Sequence, residues 1–276
     1  MTATDLASGK GHTDENFPVA SVLIARKHRP AIMAFYRFAR AADDVADNAT
    51  ASPEHKLALL ENMRASVAGE STASPEGTAL RAALAAHDIS NQHALDLLEA
   101  FRRDCTKNRY ADWDDLIDYC RYSAMPVGRF VLDVHGESRD SWAANDALCA
   151  ALQVINHLQD CAKDYREIDR VYIPTDVLAD PSALSAPTAT PALRTVIAGL
   201  AGRTQSLLST SRPFAGQIKD RRLALEVSVI QTLAEDLTAR LLIRDPLSER
   251  VHHRKSEMPG LLLRALSRFA TRRFTK

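Results

Sequence analysis

The sequence predicts an all-α fold, and three observations favour this class. Apolar residues recur at helical spacing along most of the chain, and no segment shows the alternation typical of strands. Hydrophobic residues make up 46% of the 276 residues. Glycine and proline are few, at 10 and 12, which favours long helices over a turn-rich β protein. We therefore expect one helical domain over residues 1–276, with residues 1–13 disordered.

Proline, polar capping residues and apolar periodicity place the helices in order. The first helix begins near Pro18 and ends before Arg29, because Pro30 restricts its predecessor and suits a first turn. Ser52 starts a later helix, and small residues from Gly69 to Gly77 predict a loop. Asp112 is typical of an N-cap, and the helix after it breaks or kinks near Pro126. The remaining helices are predicted at 30–48, 79–86, 92–104, 143–165, 192–209, 223–243 and 260–274.

Two acidic segments are the main functional signal. The first reads DDVAD over residues 43–47 and follows an apolar stretch. Residues four apart share a helix face, so Asp43 and Asp47 place two carboxylates side by side. Carboxylates that face a core are costly unless they are paired or bind a metal.

The second segment reads NHLQDCAKD over residues 156–164. Asp160 and Asp164 again lie four residues apart, with Asn156 one turn earlier. Hard oxygen ligands on rigid helices suit Mg²⁺, which completes its shell with water and substrate phosphate. A single such pair is common on solvated helices, but two pairs beside apolar residues favour an enzyme that binds Mg²⁺ and a diphosphate.

Composition excludes several other classes. The formal net charge is zero, so we expect no binding to nucleic acid. No apolar run is long enough to span a bilayer, and the polar N-terminus does not resemble a signal peptide. The four cysteines show no CxxC spacing, which indicates reduced thiols in a cytoplasmic protein.

The C-terminal segment 260–274 predicts a basic amphipathic helix. Leu262 and Leu266 are among its apolar residues, and Arg264 and Arg268 are among its basic ones. Two interpretations stay open: a packed terminal helix with a solvated face, or a peripheral contact with the anionic inner face of a membrane.

The two acidic segments, with Gln153 and Asn156 ahead of the second, resemble those of the squalene/phytoene synthase family. The resemblance covers about residues 16–174. Residues 15–21, 119–129 and 170–174 resemble the bacterial HpnC-type branch of hopanoid biosynthesis, which forms hydroxysqualene. It implies an isoprenoid-synthase-type helical bundle around a central cavity, with the two aspartate segments facing each other.

The resemblance also implies roles for individual residues. Two or three Mg²⁺ ions would be held by Asp43, Asp47, Asn156, Asp160 and Asp164. Substrate contacts would come from Asn16, Tyr36, Arg40, Gln153, Gln159 and Arg170. Tyr172 falls where family members close the diphosphate site. Aromatic residues such as Phe17, Phe35, Phe38 and Phe130 would either line the cavity or pack in the core.

One departure concerns Arg121, which stands where relatives that form squalene or dehydrosqualene carry a tyrosine. An arginine does not readily accept a proton, which argues against a proton-removing or reductive ending. Arg121 either acts in catalysis by pairing with diphosphate or forms a salt bridge. His157 points about 100° away from Asn156 and is expected either to support a metal ligand without binding the ion or to pack. Residues 252–255 are expected to form either a solvated loop or a segment that flanks the site, and Asp133 and His135 show no recognisable partner.

The implied reaction converts presqualene diphosphate and water into hydroxysqualene and diphosphate, which makes the chain a carbon–oxygen lyase. The alternative is head-to-head condensation of two farnesyl diphosphates into presqualene diphosphate, dehydrosqualene or squalene. We expect no NADPH. We do expect functional coupling to other enzymes of squalene biosynthesis. A non-catalytic helical protein is a third alternative, but such proteins usually lose metal ligands first.

Overall fold

A computed structural model describes residues 24–274, and of residues 272–274 it describes the helical backbone alone. The expectations for residues 1–13, 15–21 and the first predicted helix up to residue 23 lie outside the described residues. Residues 24–28 form turns rather than the end of a helix. The predicted all-α class is confirmed: the described chain contains α-helices, short 3₁₀ turns and one isolated bridge between Arg109 and Val171.

The α-helices follow one another along the chain with short connections. In order they are α1 (Arg29–Ala46), α2 (Pro53–Ala68), α3 (Pro75–Ala86), α4 (Gln92–Asp104), α5 (Trp113–Ser123), α6 (Met125–His135), α7 (Trp142–Ile168), α8 (Pro191–Ser211), α9 (Phe214–Gln217), α10 (Arg221–Leu241) and α11 (Met258–Phe274).

Local sequence explains where several helices begin. The hydroxyls of Ser52, Ser74 and Thr190 each accept a hydrogen bond from a first-turn backbone amide. Each of these residues precedes a proline, which has no amide hydrogen to leave unsatisfied. The predicted loop over 69–77 was therefore too long, because the Ser74 cap starts α3 at Pro75.

Contacts divide the described chain into two compact units. The first comprises residues 24–107 and 122–137, and its core lies among α1, α2, α3, α4 and α6. The rings of Phe35 and Phe130 stack there with centroids 4.1 Å apart. Phe38 is fully buried in the same core. Of the two interpretations for these aromatic residues, the structure supports core packing.

The second unit comprises residues 108–121 and 138–274. Its longest helix, α7, has 27 residues and packs against α8 and α10. Ile155 and Leu158 fill the buried side of α7. The single-domain organisation and the central cavity stay predictions.

No helix within residues 24–274 has both the length and the apolar character needed to cross a bilayer.

Candidate active site

The first aspartate pair lies at the C-terminal end of α1. Asp43 is in the last helical turn, and Asp47 is the residue that caps the helix. The sequence predicted that Asp43 faces the core. This prediction was wrong, because the Asp43 side chain is 34% exposed. Arg40 reaches forward along the helix and binds Asp43 Oδ2 at 2.7 Å and Asp44 Oδ1 at 2.6 Å. Tyr36 lies one turn before Arg40, so these side chains share one face.

The carboxyl groups at this end of α1 repel one another. Loss of hydration is the largest influence on Asp43, and the charge of Asp47 adds to it. Together they raise the pKa of Asp43 to about 7, although the Arg40 guanidinium opposes the rise and the Asp44 and Asp104 carboxylates reinforce it. The net negative potential at these oxygens favours a bound cation.

The second acidic segment forms a polar stripe on α7. Gln153, Asn156, Asp160 and Asp164 follow at intervals of three and four residues, and all four are partly exposed. The residues between them are mostly buried, including Val154, Ile155 and Leu158. The helix therefore presents amide and carboxylate oxygens along one accessible line, which we call the α7 stripe. Like Asp43, these carboxylates do not face the core.

A cluster of aromatic rings lies beside this stripe in the same unit. The ring of His157 stacks on Tyr172, with centroids 3.4 Å apart and planes 13° apart. Tyr110 stacks on Tyr172 at 5.3 Å, and the Tyr119 and Tyr172 hydroxyl oxygens are 3.5 Å apart. Arg170 Nη1 donates to the Tyr172 hydroxyl oxygen at 3.4 Å. Both Arg170 and Tyr172 are buried in this cluster.

His157 is uncharged in this cluster. Burial, reinforced by the positive charge of Arg170, lowers the pKa of His157 to about 3. Its Nε2 atom is buried, and within residues 24–274 it has no hydrogen-bond partner. The prediction that His157 packs rather than faces the α7 stripe is confirmed.

Comparison with known proteins identifies the family. The sequence profile described as squalene/phytoene synthase matches residues 10–257. The chain belongs to the squalene/phytoene synthase family. The family resemblance inferred from the acidic segments is thereby confirmed.

Several relatives in this family are close in sequence. The chain is 58% identical over 267 residues to a hydroxysqualene synthase of Zymomonas mobilis subsp. mobilis, covering 95% of this chain and 90% of the relative. It is 53% identical over 276 residues to a hydroxysqualene synthase of Rhodopseudomonas palustris, covering 99% and 94%.

Solved structures show the same fold. The crystal structure of squalene synthase HpnC from Alicyclobacillus acidocaldarius superposes with a TM-score of 0.72 at 33% identity, over 87% of this chain and 91% of that one. A dehydrosqualene synthase matches with a TM-score of 0.76 over 98% and 96% of the two chains. Its identity of 20% supports the fold alone.

Not every residue predicted from the family resemblance lies where expected. Gln159 is buried beside the α7 stripe rather than on it, and its Nε2 donates to the Val251 carbonyl oxygen. Its contact with diphosphate stays a prediction. Arg121 is 62% exposed and its Nη1 lies 3.3 Å from Asp118 Oδ1, which is a salt bridge, and its pairing with diphosphate stays a prediction. Asn16 lies outside the described residues.

Other polar residues have partners that the sequence did not reveal. His93 Nε2 lies 2.8 Å from Asp133 Oδ2, and the His28 and His135 rings have centroids 4.2 Å apart. The expectation that Asp133 and His135 lack recognisable partners was wrong, because their partners come from α4 and from the residue before α1.

The loop 252–255 is also less solvated than expected. His252 and His253 are partly buried, whereas residues 254 and 255 are exposed. His253 Nε2 lies 3.1 Å from Asp236 Oδ2. Gln159, beside the α7 stripe, donates to the carbonyl oxygen of Val251, the residue before this loop, so the start of the loop flanks the α7 stripe.

Tyr110 and Tyr119 were not predicted as site residues. Tyr119 lies in a segment that resembles the family, but its contact with Tyr172 joins residues 53 positions apart. No local pattern reports such a contact.

Proposed function

We propose that this chain is a hydroxysqualene synthase that converts presqualene diphosphate and water into hydroxysqualene and diphosphate with Mg²⁺. The observation that carries the proposal is 58% identity, across 95% of the chain, to a hydroxysqualene synthase. The accessible oxygens at the end of α1 and along the α7 stripe support it, because a diphosphate substrate needs cations around its leaving group.

The donor sets fit Mg²⁺. Within the described chain no three histidine, cysteine or acidic side chains already converge as a metal cluster. Mg²⁺ commonly takes one or two carboxylates from the protein and fills its shell with water and phosphate oxygens. Asp43 with Asp47, and Asp160 with Asp164 and Asn156, supply such sets. When bound there, the metal neutralises charge on the departing diphosphate.

The chain's own residues have two further tasks. Arg40 and Tyr36 in the first unit, and separately Arg170 in the second, are suited to donate hydrogen bonds to phosphate oxygens and so to orient a diphosphate. The carbon–oxygen bond breaks with its electron pair leaving on diphosphate. The cyclopropylcarbinyl cation rearranges, and a water oxygen bonds to the carbon and releases one proton. Buried apolar side chains must exclude every other water until then.

Product analysis of matched aspartate variants tests this proposal. Presqualene diphosphate and farnesyl diphosphate are supplied separately, with Mg²⁺ and without NADPH, and lipid extracts are read by mass spectrometry. We expect a thirty-carbon alcohol from presqualene diphosphate alone. Asp43→Asn and Asp160→Asn should each lower turnover by about 10²–10³-fold, since each removes charge that stabilises the leaving group. Asp96→Asn, on α4, is the control and should retain full turnover.

Other products would contradict the proposal. Presqualene diphosphate or a thirty-carbon hydrocarbon made from farnesyl diphosphate would establish the condensing alternative. Full turnover in both Asp43→Asn and Asp160→Asn would refute the role of the two aspartate sets. Coupling to neighbouring enzymes of squalene biosynthesis stays a prediction.

We also propose that α11 contacts an anionic membrane surface. The helix packs in its unit through Leu261 and Ala265, which are buried. Leu262, Leu263 and Leu266 lie on the other side and are 40%, 69% and 47% exposed. Residues 250–276 contain eight lysines and arginines but one acidic residue, in a chain of zero net charge. Exposed leucines among positive charges suit a surface of anionic lipid.

Vesicle flotation tests this contact. The protein should float with vesicles that contain phosphatidylglycerol and not with pure phosphatidylcholine vesicles. Leu263→Ser combined with Leu266→Ser should abolish flotation and leave turnover of detergent-dispersed substrate unchanged. Absence of flotation in the wild type, or a stable dimer formed through these leucines, would refute the membrane contact.

A further inference from the structure

The chain turns sharply where α7 ends, directly before Arg170 and Tyr172, the two residues that the family resemblance assigns to the diphosphate site. Asp169 caps the helix with φ 49° and ψ 35°, in the left-handed region. Arg170 and Tyr172 follow at once. Left-handed backbone is unfavourable for most residues, and aspartate tolerates it better than most. The direction in which Arg170 leaves the helix therefore depends on how firmly Asp169 is held.

Arg109 holds this turn with two guanidinium nitrogens. Its Nη2 lies 2.5 Å from Asp169 Oδ1, and its Nη1 donates to the Asp169 carbonyl oxygen. A guanidinium fork fixes both the position and the orientation of the group that it binds, which an ammonium cannot do. Arg109 thus binds the backbone carbonyl and the side-chain carboxylate of Asp169 at the same time.

Backbone hydrogen bonds also connect the segment that contains Arg109 to the residues after the turn. The Val171 amide donates to the Asn108 carbonyl oxygen at 2.9 Å, and the Thr175 amide donates to the Tyr110 carbonyl oxygen at 2.9 Å. Segments 108–111 and 169–176 thereby run side by side in the second unit, with Arg109 at one end of the pairing.

The buried groups beyond the turn are sensitive to its geometry. Arg170 is 5% exposed and Tyr172 is 8% exposed. Tyr172 is enclosed by the rings of His157 and Tyr110, so it cannot shift to compensate for a displaced backbone. A displacement of about 1 Å at a positioned group can cost about 10²-fold in rate.

We infer that Arg109 is a positioning residue that acts through Asp169 to hold Arg170 and Tyr172 where they meet the substrate diphosphate. This inference rests on the proposed function. Arg109 is itself 32% exposed and both of its terminal nitrogens are engaged with backbone or Asp169 oxygens, so its effect is indirect.

Kinetics of four variants test the inference. Arg109→Ala should lower kcat at least about tenfold and shift the unfolding temperature by no more than about 3 °C, because a partly exposed ion pair contributes little stability. Arg109→Lys should recover part of the loss. Asp169→Asn keeps an oxygen acceptor and tolerates left-handed backbone, so its kcat should fall less than that of Arg109→Ala. Arg64→Ala, which removes an arginine from two carboxylates in the other unit, is the control.

A double-mutant cycle separates positioning from a general structural effect. In a background that carries Arg170→Gln and Tyr172→Phe together, Arg109→Ala should lower kcat less than twofold further, because its effect passes through these two residues. Additive losses would refute the inference, as would a wild-type kcat in Arg109→Ala or an equal loss in Arg64→Ala.

Calorimetry with inorganic diphosphate and Mg²⁺ gives a readout that does not depend on turnover. Arg109→Ala should weaken diphosphate binding about tenfold, and unchanged binding would refute the positioning role. A wild type that binds diphosphate but does not convert presqualene diphosphate would contradict the proposed function and leave this binding comparison valid.

Discussion

His157 provides a stability prediction whose magnitude follows from its burial. Replacing it in His157→Phe keeps an aromatic ring against Tyr172 and removes a group that can be protonated. The pKa of His157 falls from its usual 6.5 to about 3 in the folded protein, first because it is buried and second because of Arg170.

The sign of the effect follows from proton uptake. As the pH falls below 6.5, His157 becomes protonated in the unfolded chain but not in the folded protein, so the free energy of unfolding decreases. The loss is about 1.36 kcal/mol per pH unit, which amounts to about 2 kcal/mol at pH 5. Above about pH 7.5 the group contributes no pH dependence. His157→Phe should escape the loss entirely.

Urea unfolding followed by circular dichroism at pH 8 and pH 5 measures this difference. The stability of His157→Phe relative to the wild type should rise by about 2 kcal/mol between pH 8 and pH 5. His87→Gln, at the exposed C-cap of α3, should keep the wild-type difference between the two pH values. A relative stability of His157→Phe that is equal at both pH values would refute the assignment of a buried, neutral His157.

Three further predictions concern two buried thiols, one core ring and two helical glycines. Burial raises the pKa of Cys120 and of Cys161 to about 12 each. A thiol reagent at pH 7.5 should therefore modify both cysteines in urea but not in the native protein, and fast labelling of the native protein would contradict their burial. Phe130→Ala should lower the free energy of unfolding by about 3–5 kcal/mol without changing the product, whereas a changed product would make this ring part of a cavity wall. A Cβ at Gly77 would lie 2.8 Å from a serine Cβ, so Gly77→Ala should destabilise the protein. Gly199 has open space around it, so Gly199→Ala should stabilise the protein by about 0.5–1 kcal/mol. Equal thermal midpoints of the two variants would contradict this reasoning.

The sequence predicted those features that depend on local spacing. The helix at Gln92–Asp104 was placed at its observed bounds, and the break before Pro126 separates α5 from α6 as expected. The intervals between Asn156, Asp160 and Asp164 were enough to place them on one face of a helix. Such predictions succeed because helical periodicity is a property of neighbouring residues.

Features that depend on distant contacts were not predictable in this way. The stacking of His157 on Tyr172 and the grip of Arg109 on Asp169 join residues from different segments. The left-handed conformation at position 169 is held by an aspartate, and the sequence has no glycine there that would predict it. The accessibility of Asp43 was also missed, because apolar neighbours along the chain indicated burial while the last turn of α1 leaves its side chain partly exposed.

The origin of the product oxygen tests the central claim most directly. Presqualene diphosphate, Mg²⁺ and the wild-type protein are incubated in water enriched in heavy oxygen, without NADPH, and the lipid extract is read by mass spectrometry. We predict a thirty-carbon alcohol whose oxygen carries the label of the water. An unlabelled alcohol, a hydrocarbon or unconverted substrate would contradict the proposal that this chain quenches the cation with water.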